Sequence, residues 1–207
     1  MKMSEDIRKD ILLESFQVLI TDYKKNFREI NEIIGKIAAI DISTALDMWE
    51  YLMDKNPKLI TANSGGFMND EAYFLTSNII YILSENIGRS DAANAIISRP
   101  NIKNIIFGVS ASVDGTQSSI IAEFIKREDL NTANELLQLV FSNKIQHFGS
   151  SKTIGGFFQN LIDDLRFDDL RSGISDTSIE FIQHWIQQIK DPQDKAKSNV
   201  RLLNLIK

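Results

Sequence analysis

The sequence has no cysteine, only three prolines and two histidines, and no long hydrophobic run. Each shortage removes a class of protein. Without cysteine there is no disulfide framework and no thiolate metal site. No stretch approaches the ~18 uncharged apolar residues of a membrane-crossing helix. A basic surplus is missing too. The 28 acidic side chains outnumber the 23 basic ones, and the net charge of −5 argues against a general nucleic-acid binder. An export signal is also not evident. Glu5, Asp6 and Asp10 stand where such a signal would be basic, and Ile11-Leu12-Leu13 is broken by Glu14 and Gln17. These features place the chain in the cytoplasm as an expectation.

With 43% hydrophobic and 25% charged residues, the 207-residue chain can bury a sizeable core. Its length fits a single domain, residues 1–207. Apolar spacing is helical almost throughout. From Ile7 to Ile37, Ile11, Leu12, Phe16, Leu19, Ile20, Tyr23, Phe27, Ile30, Ile33 and Ile34 recur mostly at steps of three and four. That stripe predicts one long helix, or two with a break near Asp22 to Asn26. No convincing period-two alternation bounded by hairpin turns occurs, so the expected fold class is all-α.

Four segments share an opening: a capping residue, an acid or amide three positions later, then an apolar helix. They begin at Thr44, Asp91, Thr132 and Thr177, at separations of 47, 41 and 45 residues. Thr132-x-x-Glu135 and Thr177-x-x-Glu180 read as capping boxes, and Thr44-x-x-Asp47 as a weaker one. Pro57, Pro100 and Pro192 punctuate the units, since proline disfavours helix both at its own position and just before it. A second apolar helix follows each first one, through Tyr73 to Leu83, Ile120 to Ile125, Phe157 to Leu165 and Lys195 to Lys207. A short helix is expected over Ile102 to Val109.

Two helices per unit at a period of about 41 to 47 residues resemble the HEAT and armadillo class of helical repeats. That resemblance covers roughly residues 41–207. It implies a right-handed α-solenoid of about four helix pairs, with residues 1–40 as an N-terminal helical cap.

The catalytic inventory is thin. His184 lies mid-helix beside Trp185 and reads as a core-edge or surface residue. His147 reads as a helix end, where a cationic side chain suits the dipole. Neither belongs to a metal-binding helix motif, and no G-x-S-x-G elbow is present. Neither Gly65-Gly66 nor Gly155-Gly156 has the lysine of a phosphate loop after it, so both read as connections or close helix approaches. Ser110 to Ser119 reads as a small polar linker, and Trp49 as core. No enzyme, cofactor or metal is expected.

One charge cluster invites a functional reading. Asp163, Asp164, Asp168 and Asp169 crowd a helix end and its exit, where acids oppose the dipole and Asp164 and Asp168 share a face. Asp163 is placed to pair with Arg166. The cluster is the candidate docking surface for a basic protein partner. Lys190, Lys195, Lys197, Arg201 and Lys207 form a basic counterpart, without the interleaved aromatics of a single-strand stacking platform. The expected function is a protein-binding repeat module, and within that class an immunity or inhibitor protein. Such a protein would mask the active site of a basic toxin such as a nuclease, because a matching acidic surface competes for a positive substrate site. The alternatives are a nucleic-acid-binding helical repeat and a self-associating scaffold or adaptor.

Overall fold

The computed structural model describes residues 4–55, 79–109, 114–148, 152–166 and 174–206. Among these residues every regular element is helical, and neighbouring helices pack on one another within each unit. No helix among them is long and apolar enough to cross a membrane. The chain divides into two compact units, Met1–Ile105 and Ile106–Lys207.

The first unit begins with α1, Glu5–Leu19, capped by Ser4, whose hydroxyl accepts from the Ile7 amide at 3.4 Å. A 3-10 turn, Ile20–Asp22, leads into α2, Tyr23–Ala38. The expected break is there: Asn26 leaves helical geometry at φ −112° and ψ 18°. Its side-chain amide donates to the Leu19 carbonyl at 3.2 Å, giving a partner to a group left over at the end of α1. Helices α3, Ile42–Lys55, α4, Ile79–Ile87, α5, Arg89–Ser98, and α6, Pro100–Asn104, follow, and a π-helical turn, Ile105–Val109, leads out. The hub is α2, which packs against α1, α3 and α4. Its Ile30, Ile33, Ile34 and Ile37 recur at steps of three and four, which puts them on one face, and all are buried. Trp49 of α3 is fully buried, as expected.

In the second unit, α7, Asp114–Lys126, is followed by α8, Leu130–Phe148, α9, Lys152–Arg166, α10, Asp176–Gln187, and α11, Pro192–Leu205. Here α9 is the hub, packing on α7, α8 and α11. Its Ile154, Phe157, Phe158, Leu161, Ile162 and Leu165 are all buried. Phe141 of α8 fills the space between Phe158 and Trp185, with ring centroids 5.8 and 4.8 Å away. Gly155 lets α11 approach, because a Cβ there would stand 2.3 Å from Asp194 Cβ. The turn from α7 to α8 holds Glu128 at φ 61°. The amides of Glu128 and Asp129 return to Ile125 and Phe124, the pattern in which glycine usually takes the left-handed position.

Two sequence expectations change in register or role. The helices start at Ile42, Arg89, Leu130 and Asp176, so Thr44, Asp91, Thr132 and Thr177 lie inside the first turn rather than at the cap. Asp41 and Asp129 cap instead, each accepting from the threonine amide three residues on at 3.2 Å. Ser175 does the same for Ser178. The acid or amide counted as the reciprocal partner therefore sits too far along the helix to reach back. Asp47, for example, accepts from Arg99 at 2.5 Å. Pro100 and Pro192 open helices α6 and α11 at their first positions, where a missing amide costs nothing. Pro57 lies outside the described residues.

Candidate functional site

The acidic cluster is described in part. Asp163 and Asp164 occupy the last turn of α9, while Asp168 and Asp169 lie outside the described residues. The Asp163 carboxylate accepts from the Arg201 guanidinium of α11, which also reaches the Gln159 carbonyl at 3.4 Å. Its partner is thus a cation on another helix rather than Arg166. Asp164 accepts from the Ser118 hydroxyl of α7 at 2.5 Å. The two neighbouring carboxylates therefore brace α9 against two different helices. Asp163 keeps 44% of its side chain exposed, so an incoming group can still reach it.

Ser118 belongs to a run that composition alone reads as linker. Residues 114–119 are instead the first half of α7, and Thr116, Gln117, Ser118 and Ser119 are buried. Burying hydroxyls and amides requires partners. Gln117 Nε2 donates to the Ile106 carbonyl at 2.6 Å, but its Oε1 has no partner among the described residues. Ser178 reaches the Ile125 carbonyl at 3.3 Å. This polar interior ties helices together and offers no accessible nucleophile. Among the described residues no group of three or more His, Asp or Glu side chains comes together to hold a metal ion.

A concave surface lies in the first unit, at α1. A cleft of about 530 Å³ opens between α1, the C-terminal end of α2 and Asn86 of α4. Leu12, Ala39 and Ile40 supply apolar lining, with Arg8 and Lys36 beside them. Lys36 is held by Glu32 at 2.5 Å. Ile11 forms part of the lining and is 48% exposed, which connects the cleft to the outward surface of α1. Ile7 at 53% and Val18 at 69% exposure stand on that same surface. At 100° per residue, Ile7, Ile11 and Val18 fall within about 40° of one another. They point away from Phe16, the buried residue of the helix. Asp6, Asp10 and Glu14, all exposed and spaced four apart, run along the flank of this apolar row.

Helical periodicity puts Ile7 and Ile11 on one amphipathic stripe with Phe16, and makes residues 195–207 a second apolar helix. In the structure Val200, Leu203 and Ile206 are 57%, 60% and 51% exposed, and Leu202 is the buried leucine of that helix. Spacing identifies a face, but it does not say whether another element covers it. The negative charge is not concentrated in one unit either. There are 15 acidic against 12 basic side chains up to Ile105, and 13 against 11 beyond it.

Asp41 shows how the row of Asp6, Asp10 and Glu14 is distinguished from structural carboxylates. Its Oδ2 accepts from Lys9 Nζ and from Thr44 Oγ1, both at 2.7 Å. These donors, Lys9 foremost, hold its carboxyl well below the usual carboxylate range. Asp6, Asp10 and Glu14 make no ion pair among the described residues, which leaves their charge available to a partner. No protein-family model, no curated protein and no solved structure matches this chain.

Proposed function

We propose that the chain is a protein-binding module of stacked helix pairs, a right-handed solenoid in the HEAT and armadillo manner, that captures a basic partner. The observation that carries this reading is the outward face of α1, where Ile7, Ile11 and Val18 stand exposed beside an open apolar cleft and an acidic row. Covering these half-exposed side chains would contribute roughly 1 kcal/mol each before the costs of association. Asp6, Asp10 and Glu14 would set orientation and speed encounter with a cationic surface. The matching ligand is an amphipathic helix whose apolar side covers the isoleucines and whose cations run along the acids.

An inhibitor of a basic toxin, such as a nuclease domain, is the narrower form of this reading and fits the net charge of −5. Asp163 and Asp164 in the last turn of α9, with Asp168 and Asp169 following in the sequence, would be a second contact for such a partner. The test is titration of a fluorescent Leu/Lys amphipathic helical peptide into the intact chain. Binding should weaken at least about tenfold, or about 1.4 kcal/mol, in Ile11→Glu and in the Asp10→Lys, Glu14→Lys pair. Loss only on changing the four α9-end aspartates to Asn would move the site there. Indifference to both sets would end the reading.

A further inference from the structure

We infer that α11 of one copy of the chain docks on α1 of another, so that the protein self-associates through two different faces. The inference rests on α1 being a docking face and names its occupant. α11 has the chemistry that α1 calls for. Ala196, Val200 and Leu203, at steps of four and three, lie on its outward side, opposite the buried Ser198 and Leu202. Val200 and Leu203 are more than half exposed.

The charges are complementary. α1 carries Glu5, Asp6, Asp10 and Glu14 against Arg8 and Lys9, and Lys9 is already engaged by Asp41. α11 carries Lys195, Lys197 and Arg201 against Asp194, and Arg201 is already engaged by Asp163. Lys197 is 62% exposed and meets Asp194 only at 3.9 Å. Lys190, exposed just before the helix, makes no ion pair among the described residues. Docking α11 on α1 sets a net negative helix against a net positive one and covers two apolar rows at once. Pairing α1 with α1, or α11 with α11, would cover one kind of row and oppose like charges. The favoured contact is therefore between unlike faces, which leaves each bound copy with one face still open.

The experiment is sedimentation velocity of the full chain over a range of concentrations and at low and high salt. The average mass should rise with concentration and fall with salt, because the contact is partly ionic. Ile11→Glu and Val200→Glu should each stay monomeric, since each destroys one face. Their equimolar mixture should form a dimer and go no further, because each variant supplies the face the other has lost. Both positions are exposed, and circular dichroism of each variant checks that the helices remain. If either variant does not fold, Glu14→Lys and Lys197→Glu replace them, and mixing these two should likewise restore a dimer, through the intact α11 of the first and the intact α1 of the second. A wild-type chain that is monomeric at every concentration overturns the inference, as does assembly that survives either single variant or a mixture that stays monomeric. A monomeric wild type that still binds the Leu/Lys peptide through α1 would remove this inference alone. Assembly through both faces without peptide binding would remove the foreign partner and keep the inference.

Discussion

Each unit is organised around a hub helix, α2 in the first and α9 in the second, and each hub meets a neighbouring helix at a glycine. The two contacts differ in what the glycine faces. At Gly155 an added Cβ would lie 2.3 Å from Asp194 Cβ and 2.6 Å from its Cγ, close to the stem of the side chain. At Gly35 the nearest atom is the amide nitrogen of Asn86, at 3.2 Å. The interiors differ in the same sense. Among the described residues, Asn31 is the buried polar residue of the first unit, whereas the second encloses Thr116, Gln117, Ser118, Ser119, Glu123, Ser178 and Ser198. The second unit thus depends on close, directional contacts, and the first mostly on apolar packing. The surface proposed for partner recognition lies on an outward face that this packing does not use.

Gly155→Ala should have the largest effect. Overpacking against a side-chain stem costs about 3 kcal/mol, and the helix propensity gained by alanine returns about 1 kcal/mol. A net loss of about 2 kcal/mol is expected. The chain provides a reporter in each unit, Trp49 in α3 and Trp185 in α10, both buried. In Trp49→Phe and Trp185→Phe backgrounds, the urea midpoint seen by Trp185 should fall while that seen by Trp49 holds. Equal shifts at both tryptophans would show that the two units unfold as one and would dissolve the comparison.

The buried face of α9 was legible in the sequence because Phe157, Phe158, Leu161, Ile162 and Leu165 repeat at the helical period within one element. The interruption near Asn26 was legible for the same local reason. Less visible were features whose partners are distant in the chain. Ser118 sits in a run that looks like linker, and it is made compatible with burial by Asp164, 46 residues later. Asp163 looked like half of a local pair with Arg166 until α11 supplied Arg201. Cap register was misplaced because D-x-x-T and T-x-x-E overlap in the sequence, and only geometry shows which carboxylate meets the free amides. The α1 cleft draws on three helices, so no spacing rule announces it. Ile7 and Ile11 read as one stripe with Phe16, and periodicity cannot tell a covered face from an open one.

The tie between α1 and α3 tests the first unit at intermediate size. Asp41→Ala removes the α3 cap and the anchor of Lys9 together and should cost about 1–2 kcal/mol, read at Trp49. The pH dependence has a definite sign. A carboxyl held below its ordinary value stabilises the fold fully above the unfolded pKa of about 3.9, and that contribution is lost as pH falls below it. The difference between wild type and Asp41→Ala should therefore be constant from neutrality down to about pH 5 and shrink in more acid solution. A difference that grows on acidification would mean that Lys9 does not hold this carboxylate.

Gly35→Ala should give the smallest change and a different sign from Gly155→Ala. The Asn86 amide is the far end of a flexible, exposed side chain, held by a single local bond to the Ile82 carbonyl at 3.3 Å. It can swing aside at little cost. The Ile82 methyl and carbonyl, both 3.4 Å from the added Cβ, are at ordinary contact distance. The helix-propensity gain of about 1 kcal/mol is then only partly offset, and the Trp49 midpoint should stay level or rise slightly. A fall as large as that of Gly155→Ala would mean that α2 and α4 are as tightly fitted as α9 and α11. Asn86 also lines the α1 cleft, so the variant has a second readout. If the amide swings outward, peptide affinity at α1 should change by less than about twofold, because the apolar lining from Leu12, Ala39 and Ile40 stays in place. A larger loss would assign Asn86 a direct contact with the partner and move the centre of recognition from the outer face of α1 into the cleft.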